Sequence, residues 1–182
     1  MCVTPRALAS LCCVVGLALF SVACHAQQDK SKRPSPPATT KFDLGDGKAV
    51  TVDYSSPRLK GRKVLVDVAP AGQVWRTGAN EATTFVTTAD VTVGGTLVPA
   101  GSYTIFSIPE KDTWTLIINK KTGEWGTDYP GPSDDLARVP MKVTALSSPV
   151  ENFTISFEKS GSGANMNFDW GTTRASVSVA KK

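Results

Sequence analysis

Histidine occurs once in this 182-residue chain, at position 25, and the four cysteines (Cys2, Cys12, Cys13, Cys24) all precede it. Beyond Ala26 there is neither imidazole nor thiol. A Ser-His-Asp or Cys-His nucleophile needs one of them, so those hydrolase classes are excluded from the rest of the chain. Zinc, copper and haem sites lean on the same residues, and the sequence implies no metal site and no cofactor. A disulfide is excluded too, so the domain must be held by its own core. An excess of one charge is also lacking. The net charge is +4, but Arg6, Lys32, Arg33, Lys181 and Lys182 lie outside the expected folded part, which is close to neutral. With no basic run and no arginine-aromatic interleaving, no nucleic-acid partner is expected.

The opening residues 1–26 hold what the remainder lacks. A short positive start, Met1 to Arg6, precedes an uncharged, largely apolar run from Ala7 to Val22, and small residues then lead to Gln27. So short a run, followed at once by polar sequence, predicts a signal peptide and no transmembrane span in the mature chain. Two processing routes are written into it. Cys24-His25-Ala26 is a small-x-small site with cleavage after Ala26. Ser21-Val22-Ala23-Cys24 resembles a bacterial lipoprotein box, with Ser21 where Leu, Val or Ile is usual, and would place a lipid anchor on Cys24. Simple export is the expected route, to the periplasm or medium, with a lipid-anchored envelope form as the alternative.

Residues 27–40 (QQDKSKRPSPPATT) contain no large apolar side chain and three prolines, which predicts a disordered linker. Residues 41–182 then suit a single β-rich domain. Val50, Val52 and Tyr54 alternate with polar residues, as do Phe153, Ile155 and Phe157, and Met166, Phe168 and Trp170; Trp114, Leu116 and Ile118 alternate with Thr115 and Ile117, and Tyr103, Ile105 and Ser107 oppose Thr104, Phe106 and Ile108. Period-two alternation buries one face of a strand and wets the other. Asp46-Gly47, Gly94-Gly95, Gly161-Ser162-Gly163 and Gly171-Thr172 punctuate the runs as turns. About nine strands follow, in an all-β antiparallel sandwich or open barrel. Two long stretches escape the pattern, Ser55 to Glu81 and Lys120 to Leu136, and such loops are where function tends to sit.

The string Val74-Trp75-Arg76-Thr77-Gly78-Ala79-Asn80-Glu81-Ala82-Thr83 resembles the signature of an exported bacterial family catalogued as Domain of Unknown Function 2911. Ser56 to Lys63, Pro99 to Thr104, Trp114 to Lys120, Trp125-Gly126, Pro149 to Phe157 and the W-G-T-T-R near the end are similar to it as well. The likeness covers most of residues 48–179. It implies export and a β-rich domain, and it carries no catalytic role.

Two readings of the signature stay open. In the structural one, Arg76 and Glu81 form an internal ion pair, Trp75 plugs one end of the sandwich, and Asn80 satisfies backbone groups in a bend at Gly78. In the binding one, Trp75, Arg76, Asn80 and Glu81, with Arg58 and Arg62 shortly before, take an anionic ligand through the guanidinium fork and the indole face. Trp125 and Tyr129 either line a sugar or aromatic site with them or fold down as a plug. Paired carboxylates from Glu81, Glu124, Asp128, Asp134 and Asp135 could serve a metal-independent hydrolase or lyase acting on an extracytoplasmic glycan, with Glu81 the leading catalytic candidate. Ser156 and Lys159 point to opposite faces of a strand and form no dyad. Asp43 to Gly47 has too few oxygen ligands for calcium and reads as a hairpin turn. The first expectation is therefore a binding or structural module of the cell envelope, with the enzyme as the alternative.

Overall fold

The computed structural model describes residues 29–182, so the leader, both cleavage sites and Cys24 lie outside the described residues. Nine strands follow one another: β1 (Pro37–Gly45), β2 (Lys48–Ser55), β3 (Thr83–Thr87), β4 (Val91–Val93), β5 (Thr96–Val98), β6 (Gly101–Pro109), β7 (Thr113–Asn119), β8 (Asp135–Ser160) and β9 (Gly163–Lys181). Each neighbouring pair is antiparallel, in one sheet of order β1-β2-β3-β6-β7-β8-β9-β4-β5. The chain adopts the expected all-β class, and the sheet stays open instead of closing into a barrel. Among the described residues, no helix is long and apolar enough to cross a membrane.

Local chemistry sets the hairpins. Asp46 and Gly47 take φ of 52° and 70°, joining β1 to β2. Two successive positive φ values make the turn whose twist matches its strands, and Asp-Gly is suited to it. Asp43 caps the Gly45 N–H at 2.8 Å, and Asp46 meets Lys181 at 2.8 Å.

The sheet doubles over because β8 and β9 bend together. Their pairing slips twice between Ala145 and Thr154, and Gly171 takes φ of 58° at the bend. On one side of it β8 pairs with β7 and β9 with β4. On the other, the ribbon lies over β1 and β2. Phe157 stacks on Phe42 at 5.7 Å, Phe153 meets Tyr54 edge-on at 5.8 Å, and Ile155 N–H donates to the Tyr54 hydroxyl at 3.0 Å. Val50, Val52, Phe85, Ile105, Leu116, Ile118, Met166 and Phe168 fill the space between. Trp75 sits among them, stacked on Trp170 at 5.5 Å and edge-on to Phe153 at 5.0 Å. Burying each such large side chain contributes on the order of 1.5–3 kcal/mol.

Two expectations need correction. The linker predicted to run to residue 40 ends earlier, because β1 starts at Pro37 and pairs Pro37–Thr40 with residues of β2. An edge strand pairs through its main chain on one side only, so this stretch needs no large apolar residues, and that is why its pattern was silent. The second concerns the face predicted to be wet. Phe106 and Ile117 are 1% and 0% exposed, and with Ala82 they form a second, smaller core. Val74 and Tyr129, from the two irregular stretches, cover it. The loops thus form an additional layer outside β6 and β7, and that layer positions the site.

Candidate functional site

Trp75 is tied to β6 by reciprocal main-chain bonds with Ser107, at 2.7 and 2.8 Å, which send its indole inward. Two residues on, Thr77 is fully buried at φ 56°, unusual for a β-branched side chain. Its hydroxyl donates to Ser107 Oγ at 3.0 Å and its carbonyl accepts from Thr83 Oγ1 at 2.7 Å. Asn80, at φ 59°, donates its amide to the Ser35 carbonyl at 3.0 Å and accepts the Gly126 N–H at 3.0 Å. Strain of this kind persists where the surroundings over-determine the backbone, and it clusters at functional sites.

Arg76 immediately precedes the first of these two left-handed residues. Its Nε is buried with no hydrogen-bond partner, and no ion pair reaches it among the described residues. Burial pushes the guanidinium below its ordinary pKa. The side chain lines a cleft of about 270 Å³ that also holds Arg62, Asn80, Ser35 and Thr127, against an apolar wall that includes Pro57 and Val68. No carboxylate lines this cleft.

The ion pair expected between Arg76 and Glu81 does not form. Glu81 instead accepts from Arg33 Nη1 at 3.0 and 3.1 Å and from Lys30 Nζ at 2.9 Å. Two left-handed residues separate Arg76 from Glu81, and Glu81 bridges to Trp125 and faces the N-terminal arm. Burial pulls the Glu81 carboxyl upward, but hydrogen bonds from Lys30, its own backbone and Arg33 outweigh that and hold it at about 2.

The remaining candidates separate by role. Trp75 is a core residue that also borders the cleft. Trp125 is 55% exposed beneath the Arg33 guanidinium, 6.0 Å from its ring centre. Tyr129 folds down as a plug: its ring meets Phe106 at 5.2 Å, and its hydroxyl donates to Asp135 at 2.7 Å and accepts from Arg138 at 2.8 Å. Arg58 caps Ser56, with bonds of 2.7 Å to its carbonyl and 2.9 Å to its hydroxyl. The structure therefore gathers Arg76 and Asn80 in one cleft, and Glu81 and Trp125 on an adjoining surface. Arg62, read with the signature, joins that cleft, and the structure adds Arg33, Ser35 and Thr127, which charge and pattern alone did not place, since all three come from distant segments.

The other acids are mostly engaged. Glu124 accepts from Thr104 at 2.8 Å, Asp134 meets Lys121 at 3.3 Å, and Asp135 is held by Asn119, Tyr129 and Arg138. Asp128 is exposed. Glu81 and Asp53 share a smaller cleft of about 160 Å³, where Asp53 accepts from Thr39 at 2.6 Å.

A doubled-over antiparallel sheet with an outer loop layer, and one desolvated arginine in a cleft within it, defines an all-β protein whose distinctive chemistry is carried by loops. The chain belongs to the family described as protein of unknown function (DUF2911), whose profile matches residues 35–179. No curated protein and no solved structure matches it.

Proposed function

We propose that this chain is an exported binding module of the cell envelope, and that Arg76 anchors an anionic group of its ligand. The buried Nε without a partner carries the reading. Desolvating a charged donor with nothing to receive it is costly, and binding sites are where folds keep such groups ready. A carboxylate or phosphate matches the guanidinium fork, and the absence of acids from the lining leaves that charge for the ligand. The composition of residues 1–26 supports export. The carboxylate enzyme is the weaker reading. Its acid must hold a proton near neutral pH, and Glu81 is held in the opposite direction.

Chemical denaturation and calorimetric titration with acetate and inorganic phosphate test this together. Arg76→Ala is expected to leave stability unchanged or to raise it by up to ~2 kcal/mol, and to abolish anion binding. A loss of about 3–5 kcal/mol would mark Arg76 as one half of a buried structural pair and end the proposal.

A further inference from the structure

Arg62 borders two clefts. On one side is the Arg76 cleft, and on the other a groove of about 450 Å³ lined by Leu59, Val64, Leu65 and Val66, with Pro149 and Thr172. Between the clefts runs a five-residue π-turn, Val64–Val68, closed by Ala69 N–H onto the Val64 carbonyl at 2.9 Å. Val64 to Val66 line the groove, while Val68 lines the Arg76 cleft. Arg62 is fixed at the crossing by its own bonds to the carbonyls of Leu59 (3.0 Å) and Arg58 (2.6 Å). Val66 is 65% exposed, more than any other large apolar side chain among the described residues. Lys63 also lines the groove, and no carboxylate lines either cleft. Asp67, the acid of the turn, is engaged with the Lys63 N–H at 2.7 Å.

Building on the anion reading above, we infer that the ligand is a soluble single-chain amphiphile. Its carboxylate or phosphate head lies against Arg76, and its apolar chain passes Arg62 into the groove. A bare inorganic anion has no use for an apolar groove, and an uncharged chain has no use for the cationic residues beside it.

Calorimetry on the purified protein with octanoate, acetate and octanol separates the parts. Octanoate is expected to bind at least tenfold tighter than either of the others, because a buried methylene is worth up to about fourfold in affinity. Arg76→Ala is expected to abolish octanoate binding, and Val66→Asn to erase most of the dependence on chain length. Equal affinity for octanoate and acetate would overturn the amphiphile while leaving the anion site standing. Equal affinity for octanoate and octanol would overturn it by removing the head from the interaction. If neither acid binds, the anion reading falls with it. Sedimentation with phosphatidylglycerol vesicles, without octanoate binding, would make the groove a membrane-contact surface and overturn the inference.

Discussion

Thr77, held left-handed at φ 56° by hydrogen bonds to Ser107 and Thr83, shows how little freedom the residues around Arg76 have. Gly78 completes the constraint by close approach. A Cβ there would lie 3.0 Å from the Ser55 carbonyl oxygen and 3.0 Å from Thr83 Oγ1, the hydroxyl that holds Thr77. Neither neighbour is the loose end of a long side chain. Gly78→Ala is therefore expected to cost about 1–3 kcal/mol in urea denaturation, as overpacking does elsewhere. A neutral result would show that the loop has slack and that Arg76 is not rigidly presented. Arg76 itself was legible in the sequence as chemistry, a guanidinium beside an indole, an amide and a carboxylate. Its lack of a partner was not, because that depends on Lys30 and Arg33 having taken Glu81.

The arm before β1 is the element whose role changes most between sequence and structure. Its composition reads as solvated, and on hydrophobic pattern alone that reading is sound. What holds the arm is polar: Arg33 and Lys30 on Glu81, and Asn80 on the Ser35 carbonyl. These contacts leave no periodic trace, whereas the runs that became β2, β7 and the paired ends of β8 and β9 were legible because large apolar side chains recur at every second position, even where, as in Met166–Trp170, both faces are buried. The second core was half legible. Phe106 and Ile117 stood on a face otherwise read as wet, and nothing in the pattern said that loops would cover them. The arm also responds to acid. The Glu81 carboxyl lies at about 2 in the fold against an ordinary 4.5, so its contribution is complete above about pH 4.5 and is lost as pH falls towards 2. Glu81 and Lys30 are both partly exposed, so solvent screens the pair and the effect is local. The NMR resonance of the Trp125 indole, beneath Arg33, should shift across that window while core resonances stay fixed. A Trp125 signal unchanged down to pH 2 would show that the arm does not depend on Glu81.

At the scale of the whole molecule, the export proposal makes a prediction about mass. Protein recovered from its native host should begin at Gln27, and diacylglycerol on Cys24 would replace that proposal with the lipid-anchored form. In that form, a polar stretch joins the lipid to an arm that is itself docked on Glu81. The strand order also has a temporal side. β4 and β5 are made directly after β3, yet they do not stay beside it: β3 pairs with β6, and β4 pairs with the end of β9, Val91 with Lys181 and Val93 with Val179. Val91 and Val93 are fully buried in the finished protein. Whether the chain emerges from a ribosome or threads through a membrane with its N-terminus leading, this small hairpin can rest on Val139 of β8, but it has no strand to pair with beyond itself until about eighty further residues have appeared, an interval on the order of ten seconds at the pace of synthesis. The outer main chain of β4 waits unpaired for that time. Val179 to Lys181 act as a clasp, and a chain cut just before them would carry every other pairing of the sheet and still leave that edge unsealed.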